Sequence, residues 1–262
     1  MKQLPVLEPG DKPRKATWYT LTPTGDSPCA RVGHSCSYLP PVGDSKRGKV
    51  FIVGGANPNR SFSDVHTMDL GTHQWDLTTS EGLLPRYEHA SFVPSCAPHS
   101  IWVFGGADQS GNRNCLQVLN PETRTWTMPE VTSPPPSPRT FHTSSSVIGN
   151  QLYVFGGGER GAQPVQDVKL HVFDANTLTW SQPETLGEPP SERMEVLQVS
   201  LVVTRSGCLH QTRAASHPAQ AGHLSLRPQR HTAGFQSLMM MYGMFLVMGV
   251  GWSPLAWSKS WF

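Results

Sequence analysis

Three Arg-x-x-His motifs recur along the 262-residue chain, at Arg31/His34, Arg86/His89 and Arg139/His142. A cation beside an imidazole is a pairing that acid–base chemistry uses. Three evenly spaced copies point to structure instead, because a reaction needs one such group. Each arginine is expected to bind backbone carbonyls or a carboxylate. His34 and Cys36 are two zinc-type ligands, but a tetrahedral site needs two more and none is near in sequence. The five cysteines, Cys29, Cys36, Cys96, Cys115 and Cys208, form no Cys-x-x-Cys, so neither a disulfide framework nor a zinc ribbon is signalled. No Gly-x-x-x-x-Gly-Lys-Ser/Thr is present, so the paired glycines are not phosphate loops. The sequence assigns no catalytic residue, no metal ligand and no cofactor.

Binding has better candidates. A loop after each of three glycine pairs carries an arginine: Arg60, Arg113 and Arg160. Asn57, Asn59, Asp108, Gln109, Asn112 and Glu159 stand beside them. Arginine is favoured at interfaces and pairs with carboxylates through a two-pronged fork. Loops that recur once per repeat are expected on one face, where they would meet an acidic partner surface.

The elements that must position these loops form a repeat. Three apolar strands end in paired glycines: Val50 to Val53 before Gly54-Gly55, Ile101 to Phe104 before Gly105-Gly106, and Leu152 to Phe155 before Gly156-Gly157. The pairs are 51 residues apart, and Trp75, Trp126 and Trp180 follow the first glycines by 21, 21 and 24 residues. Six residues before each Trp stands Asp69, Asn120 or Asp174, and three before it Thr72, Thr123 or Thr177. Asp and Asn accept hydrogen bonds from backbone N–H groups two residues on, so each unit contains a turn just before its last strand. Glycine allows the sharp turn where the strand ends, and the Trp is a wedge between neighbouring units. Four antiparallel strands at a period near 50 residues make one propeller blade.

The double glycine, spaced aromatic and Trp resemble the kelch-repeat family over about residues 18–190. Lys15 to Tyr19, Gly54 to Arg60 and Asn120 to Trp126 are similar to kelch-motif effectors of Rab GTPases. That resemblance implies a non-enzymatic adaptor that binds a late-endosomal Rab GTPase in its GTP form. It also implies transport from endosomes to the trans-Golgi network and a cytoplasmic location, peripheral on endosomal membranes. The expected fold is all-β, an incomplete kelch-type propeller of three four-stranded blades at about 31–84, 85–137 and 138–190. Residues 1–30 would hold a lone strand at Trp18-Tyr19-Thr20-Leu21. Residues 191–262 would be a non-kelch, largely irregular tail. Two other readings stand beside this one. One is an inactive or unstable truncated isoform whose tail associates with membrane. The other is a fragment of a kelch-fold metalloenzyme, a fold that also hosts copper and iron chemistry.

Composition agrees with short strands and many turns. Gly and Pro together make 48 of 262 residues, about 18% against about 12% on average. The net charge of +2 gives no nucleic-acid footprint. Residues 1–190 carry 15 basic and 17 acidic side chains, and residues 191–262 carry 6 and 2. Six of the nine Met lie in that last stretch, with an uncharged 15-residue run at 238–252. A membrane span needs about 20 apolar residues, so that run is expected to fall short of one. The segment Ser133-Pro134-Pro135-Pro136-Ser137-Pro138 reads as a stiff connector.

Overall fold

The computed structural model describes residues 4–43, 47–78, 81–120, 122–140, 145–160 and 163–192. The expectations for the tail, its apolar run at 238–252, His142 and Cys208 lie outside the described residues. Within them the protein is all-β, with no helix.

Three antiparallel sheets follow one another. The first orders Ser35–Leu39, Lys49–Val53, Val65–Asp69 and Gln74–Thr78 from inner to outer edge. The second orders Ala90–Phe92, Ile101–Phe104, Leu116–Asn120 and Thr125–Thr127. The third orders Ser145–Ile148, Gln151–Val154, His171–Asp174 and Thr179–Ser181. The first strands of successive sheets lie next to each other. There Ser37 Oγ meets Ser91 Oγ at 2.9 Å and Ser35 Oγ meets His89 Nε2 at 2.8 Å. From Val50 in the first sheet and Ile101 in the second, the second strand is an unbroken apolar run because both its faces are covered.

The turn before each Trp strand is built the same way three times. Asp69 Oδ1 accepts from the N–H groups of Gly71 and Thr72, at 2.8 and 3.1 Å. Asn120 Oδ1 accepts from Glu122 and Thr123, and Asp174 Oδ1 from Asn176 and Thr177. The turn then closes through a left-handed residue that is not glycine, namely His73, Arg124 or Leu178, with φ of 55°, 56° and 57°.

Trp126 and Trp180 pack toward the sheet before their own. Trp126 lies among Leu39, Phe51 and Val53 of the first sheet and Ile101, Val103 and Leu119 of the second. Trp180 lies among Ala90, Phe92, Trp102 and Phe104 of the second sheet and Phe173 of the third. Trp75 packs with Val50, Ile52 and Met68, and Leu21 of the N-terminal segment joins them. The strand expected at residues 18–21 is reduced to one parallel bridge, Thr20 with Val6, and the two-residue strand Thr24–Gly25 lies further on. Thr24–Gly25 runs parallel to Gln74 and Trp75 on the outer edge of the first sheet. The approach to the second repeat does the same, with Trp126 N donating to Glu81 O at 2.8 Å. The approach to the third uses Ser133 Oγ, which accepts from Trp180 N at 2.5 Å. Outer edges are thus covered by the chain's own lead-in segments, which removes a template for unwanted pairing.

Successive repeats are joined at the glycine pairs. Gly55 N donates to Arg86 O at 2.8 Å, and Gly106 N to Arg139 O at 3.1 Å. Gly54 has φ of +61°, and a Cβ there would stand 2.5 Å from Arg86 O. Gly106 has φ of +83°, and a Cβ there would stand 2.6 Å from Tyr87 O. Only glycine fits such a position, because the conformation and the close approach both exclude a side chain.

Candidate functional site

The segment after each glycine pair folds into a small hairpin: Ala56–Asn57 with Arg60–Ser61, Ala107–Asp108 with Gly111–Asn112, and Gly158–Arg160 with Gln163–Pro164. The three hairpins start alike. Phe62 N donates to Gly55 O, Arg113 N to Gly106 O and Val165 N to Gly157 O, at 2.8, 2.8 and 2.9 Å. That register places the three candidate arginines at three different positions. Arg60 is in a returning strand, Arg113 follows one, and Arg160 ends a leading strand. Arg113 is the counterpart of Phe62 and Val165.

Their surroundings differ too. Arg60 is exposed, and its guanidinium lies 4.9 Å from the Phe62 ring centre, a cation–π distance. Arg31 covers the same ring at 4.1 Å. Arg113 is paired with Asp108 inside its own hairpin. Burial alone would raise the Asp108 carboxyl, but hydrogen bonds from Ser110 and the Arg113 partner outweigh it and hold it below the usual range.

The hairpins touch one another. Asn112 Nδ2 donates to Gly158 O at 3.0 Å and Glu159 O at 2.6 Å. Gln109 Nε2 reaches Asn59 O at 3.5 Å. Asn57 Oδ1 accepts from Asn59 N and Arg60 N, both at 3.0 Å, which holds the first loop in shape. The result is one continuous polar rim, and Arg60 is an exposed cation on it.

Beneath the rim lie the motif arginines, all three on backbone carbonyls and two of them on a carboxylate as well. Arg31, Arg86 and Arg139 each donate from Nη1 to the first glycine's carbonyl, Gly54, Gly105 or Gly156, at 3.0, 3.1 and 3.1 Å. Each donates from Nε to the carbonyl two residues back, at 3.2, 3.4 and 3.0 Å. Arg86 and Arg139 are completely buried. The third partner varies. Arg31 meets Asp64 through both carboxylate oxygens, at 2.5 and 3.0 Å, and Arg139 meets Asp167 at 3.1 Å. His66 stands 3.4 Å from Asp64, and His171 stands 2.5 Å from Asp167. Arg86 instead meets Gln117 Oε1 at 2.6 Å and Cys115 Sγ at 3.4 Å.

Electrostatics follow the partner. Burial alone would raise the Asp64 carboxyl, but His66 and Arg31 reverse this and hold it well below the usual range. Burial would lower the Arg31 guanidinium, and Asp64 turns that into a rise. The Arg86 guanidinium is lowered, because burial outweighs what Cys115 returns. Burial and the Arg31 charge together lower His34.

Sequence reading missed Asp64, Asp167, Gln117 and Phe62. The available signal was the spacing of Asp64 and Asp167, ten and eleven residues after Gly54 and Gly156. A one-residue offset and Cys115 in the middle copy hide it. Among the described residues no three His, Cys, Asp or Glu side chains gather to hold a metal ion, and His34 and Cys36 gain no further ligand. No helix among the described residues is long and apolar enough to cross a membrane.

Comparison with known proteins bears on the repeat. Residues 42–217 match the family described as the KLHDC2/KLHL20/DRC7 Kelch-repeats domain. The chain is 90% identical over 193 residues to the "Rab9 effector protein with kelch motifs" of Homo sapiens, covering 74% of this chain and 52% of that protein. Identity is 89% to the Bos taurus protein of that name and 56% to the Xenopus laevis one, over 74% of this chain and 52% and 53% of theirs. The chain spans about half the length of these curated relatives.

Proposed function

This chain belongs to the kelch-repeat family, and on that premise we propose that it is a non-enzymatic adaptor that engages a Rab GTPase in its GTP form. The identity to relatives named as Rab9 effectors supports the reading. The three sheets are three blades of an incomplete propeller, and the partner docks on the rim of double-glycine hairpins. A polar rim whose loops brace one another suits a binding surface, because the bonds between loops lower the ordering cost of association. Arg60, exposed and propped over Phe62, offers a cation to an acidic patch on the GTPase. Arg113 and Arg160 belong to the neighbouring hairpin segments. The protein acts in the cytoplasm, reaches endosomal membranes through its partner, and serves transport from late endosomes to the trans-Golgi network. The observation that carries the reading is the close sequence match across the repeats that build this rim.

The test is a pull-down of the full chain on GTP- and GDP-loaded Rab9. Selective retention by the GTP form is expected, with loss when Arg60→Ala, Arg113→Ala and Arg160→Ala are combined. Equal retention by both nucleotide forms, or full retention of the triple variant, overturns the assignment.

A further inference from the structure

The middle repeat carries a cysteine where its neighbours carry an aspartate. Gly54 N donates to Asp64 O at 3.1 Å, and Gly105 N donates to Cys115 O at 3.3 Å, so the two residues hold the same backbone position. Their side chains hold the same place as well. Arg31 Nη2 reaches Asp64 Oδ2 at 3.0 Å, and Arg86 Nη2 reaches Cys115 Sγ at 3.4 Å. In the third repeat Arg139 Nη2 reaches Asp167 Oδ2 at 3.1 Å.

Arg86 is completely buried. Among the described residues no carboxylate lies within ion-pair distance of it. Its acceptors are Gly105 O, Leu84 O, Gln117 Oε1 and the sulfur. A buried cation without a counter-charge is unfavourable, and an anion at the sulfur would relieve it. Two of the three copies of this pocket already contain that anion as a carboxylate.

We propose that Cys115 is a site of two-electron oxidation by hydroperoxides, whose sulfinate product sits against Arg86 as the carboxylates sit against Arg31 and Arg139. The sulfur gives up its proton to solvent and attacks one oxygen of the peroxide. An S–O bond forms and the O–O bond breaks. The leaving hydroxide takes a proton and departs as water. The sulfur loses two electrons and the peroxide gains them, giving the sulfenate. A second peroxide repeats the step and gives the sulfinate. That group matches a carboxylate in charge and in its two acceptor oxygens, the pair a guanidinium fork binds.

The chain contains its own controls. Cys29, Cys36 and Cys96 are exposed, whereas Cys115 is only half exposed. Cys29 also touches an arginine, with its Sγ 3.3 Å from Arg31 Nη2, but Asp64 already neutralises that cation. The Cys36 thiol is pushed up to about 11 and competes weakly on either account, so the ranking rests on Cys29 and Cys96: reactivity set by exposure puts Cys115 behind both, and reactivity set by the uncompensated guanidinium puts it ahead of both.

The experiment titrates the reduced full chain with hydrogen peroxide, traps sulfenate with a 1,3-dione and locates the adducts by peptide mass spectrometry. Cys115 is expected to react ahead of Cys29, Cys36 and Cys96 and to accumulate the doubly oxygenated form. The oxidised protein is expected to melt about 2–4 °C higher. Cys115→Asp should reproduce that rise in the reduced protein and abolish its response to peroxide, while Cys115→Ser should do neither. Oxidation that follows exposure, a lower melting temperature after Cys115 oxidation, or Cys115→Asp melting below Cys115→Ser overturns the proposal.

Discussion

Arg31 and Arg139 each face a carboxylate backed by a histidine, whereas Arg86 faces an amide and a thiol in the pocket between them. The shared part of the three pockets is the pair of carbonyls, the first glycine's and the one two residues back. The backbone therefore sets the arginine's geometry, and the third partner is left free to vary. What varies is charge. The outer pockets are neutral ion pairs, and the middle pocket is a hydrogen-bonded cation. Gln117 compensates by accepting from Arg86 and from Leu84 N and by donating to Gly82 O, so one buried amide ties its strand to the lead-in segment. The middle pocket exchanges coulombic attraction for connectivity.

The strongest way to break this contrast is to delete the arginines. Arg139→Met takes the cation from Asp167, leaving it His171 and the Lys169 N–H, and leaves the Gly156 and Ser137 carbonyls without their donor, so it is expected to cost about 3 kcal/mol. Arg86→Met strands only neutral acceptors and is expected to cost about 1–3 kcal/mol. Urea unfolding of the two variants measures the difference, and equal losses would mean that the carboxylate adds nothing to the pocket. Gln117→Leu comes next, at about 2 kcal/mol, because it leaves Arg86, Leu84 N and Gly82 O without their partner. His66→Leu, at the matching position of the first sheet, is expected to cost less, since Arg31 still holds Asp64 through two bonds. A larger loss for His66→Leu would place the histidine, not the arginine, at the centre of the outer pockets.

How much of this was readable beforehand depended on distance along the chain. The Asp or Asn turns work through neighbours two and three residues away, and the glycine pairs and Trp strands recur at nearly constant intervals, so their spacing is written in the sequence. The turn oxygens of Asp69, Asn120 and Asp174 accept from the N–H two residues on, as that chemistry requires. The pockets are not local. Arg31 and Asp64 are 33 residues apart, Arg86 and Gln117 31, and Arg139 and Asp167 28. No fixed interval marks them, and two different chemistries fill the third position. The arginines of the rim show the opposite failure. Arg60, Arg113 and Arg160 look equivalent as one arginine per loop, yet they follow the first glycine by six, eight and four residues. The hydrogen bonds of Phe62, Arg113 and Val165 define the register, and only the folded chain shows that Arg113 stands where the others place an apolar side chain.

Acid separates the pockets more gently than mutation. Asp64 and Asp167 titrate below their ordinary range in the folded state. A depressed carboxylate stabilises the fold above its unfolded value, and that stability is lost as the pH falls through the folded one. The first and third sheets are therefore expected to loosen progressively below about pH 4, while the middle pocket, which has no carboxylate, keeps its bonds. Hydrogen exchange resolved by segment checks this, and uniform loosening of all three sheets would refute it.

The smallest effect sharpens the same contrast at the turns. Asp174 is held below the ordinary carboxylate range chiefly by the N–H of Asn176, against a smaller opposing effect of burial, whereas the middle repeat caps the same turn with uncharged Asn120. Asn120→Asp keeps the acceptor oxygen and adds a titratable charge at an exposed position. At neutral pH the change is expected to be within about 0.5 kcal/mol, as for most surface substitutions. Its signature is the pH profile. The turn leading into Thr125–Thr127 of the variant should acquire an acid-sensitive exchange rate like that of the turn leading into Thr179–Ser181, and the native Asn120 turn should show none. An Asn120→Asp turn that stays indifferent to acid would show that the turn oxygen acts as a neutral acceptor in all three repeats, which would confine the charge contrast to the buried arginines.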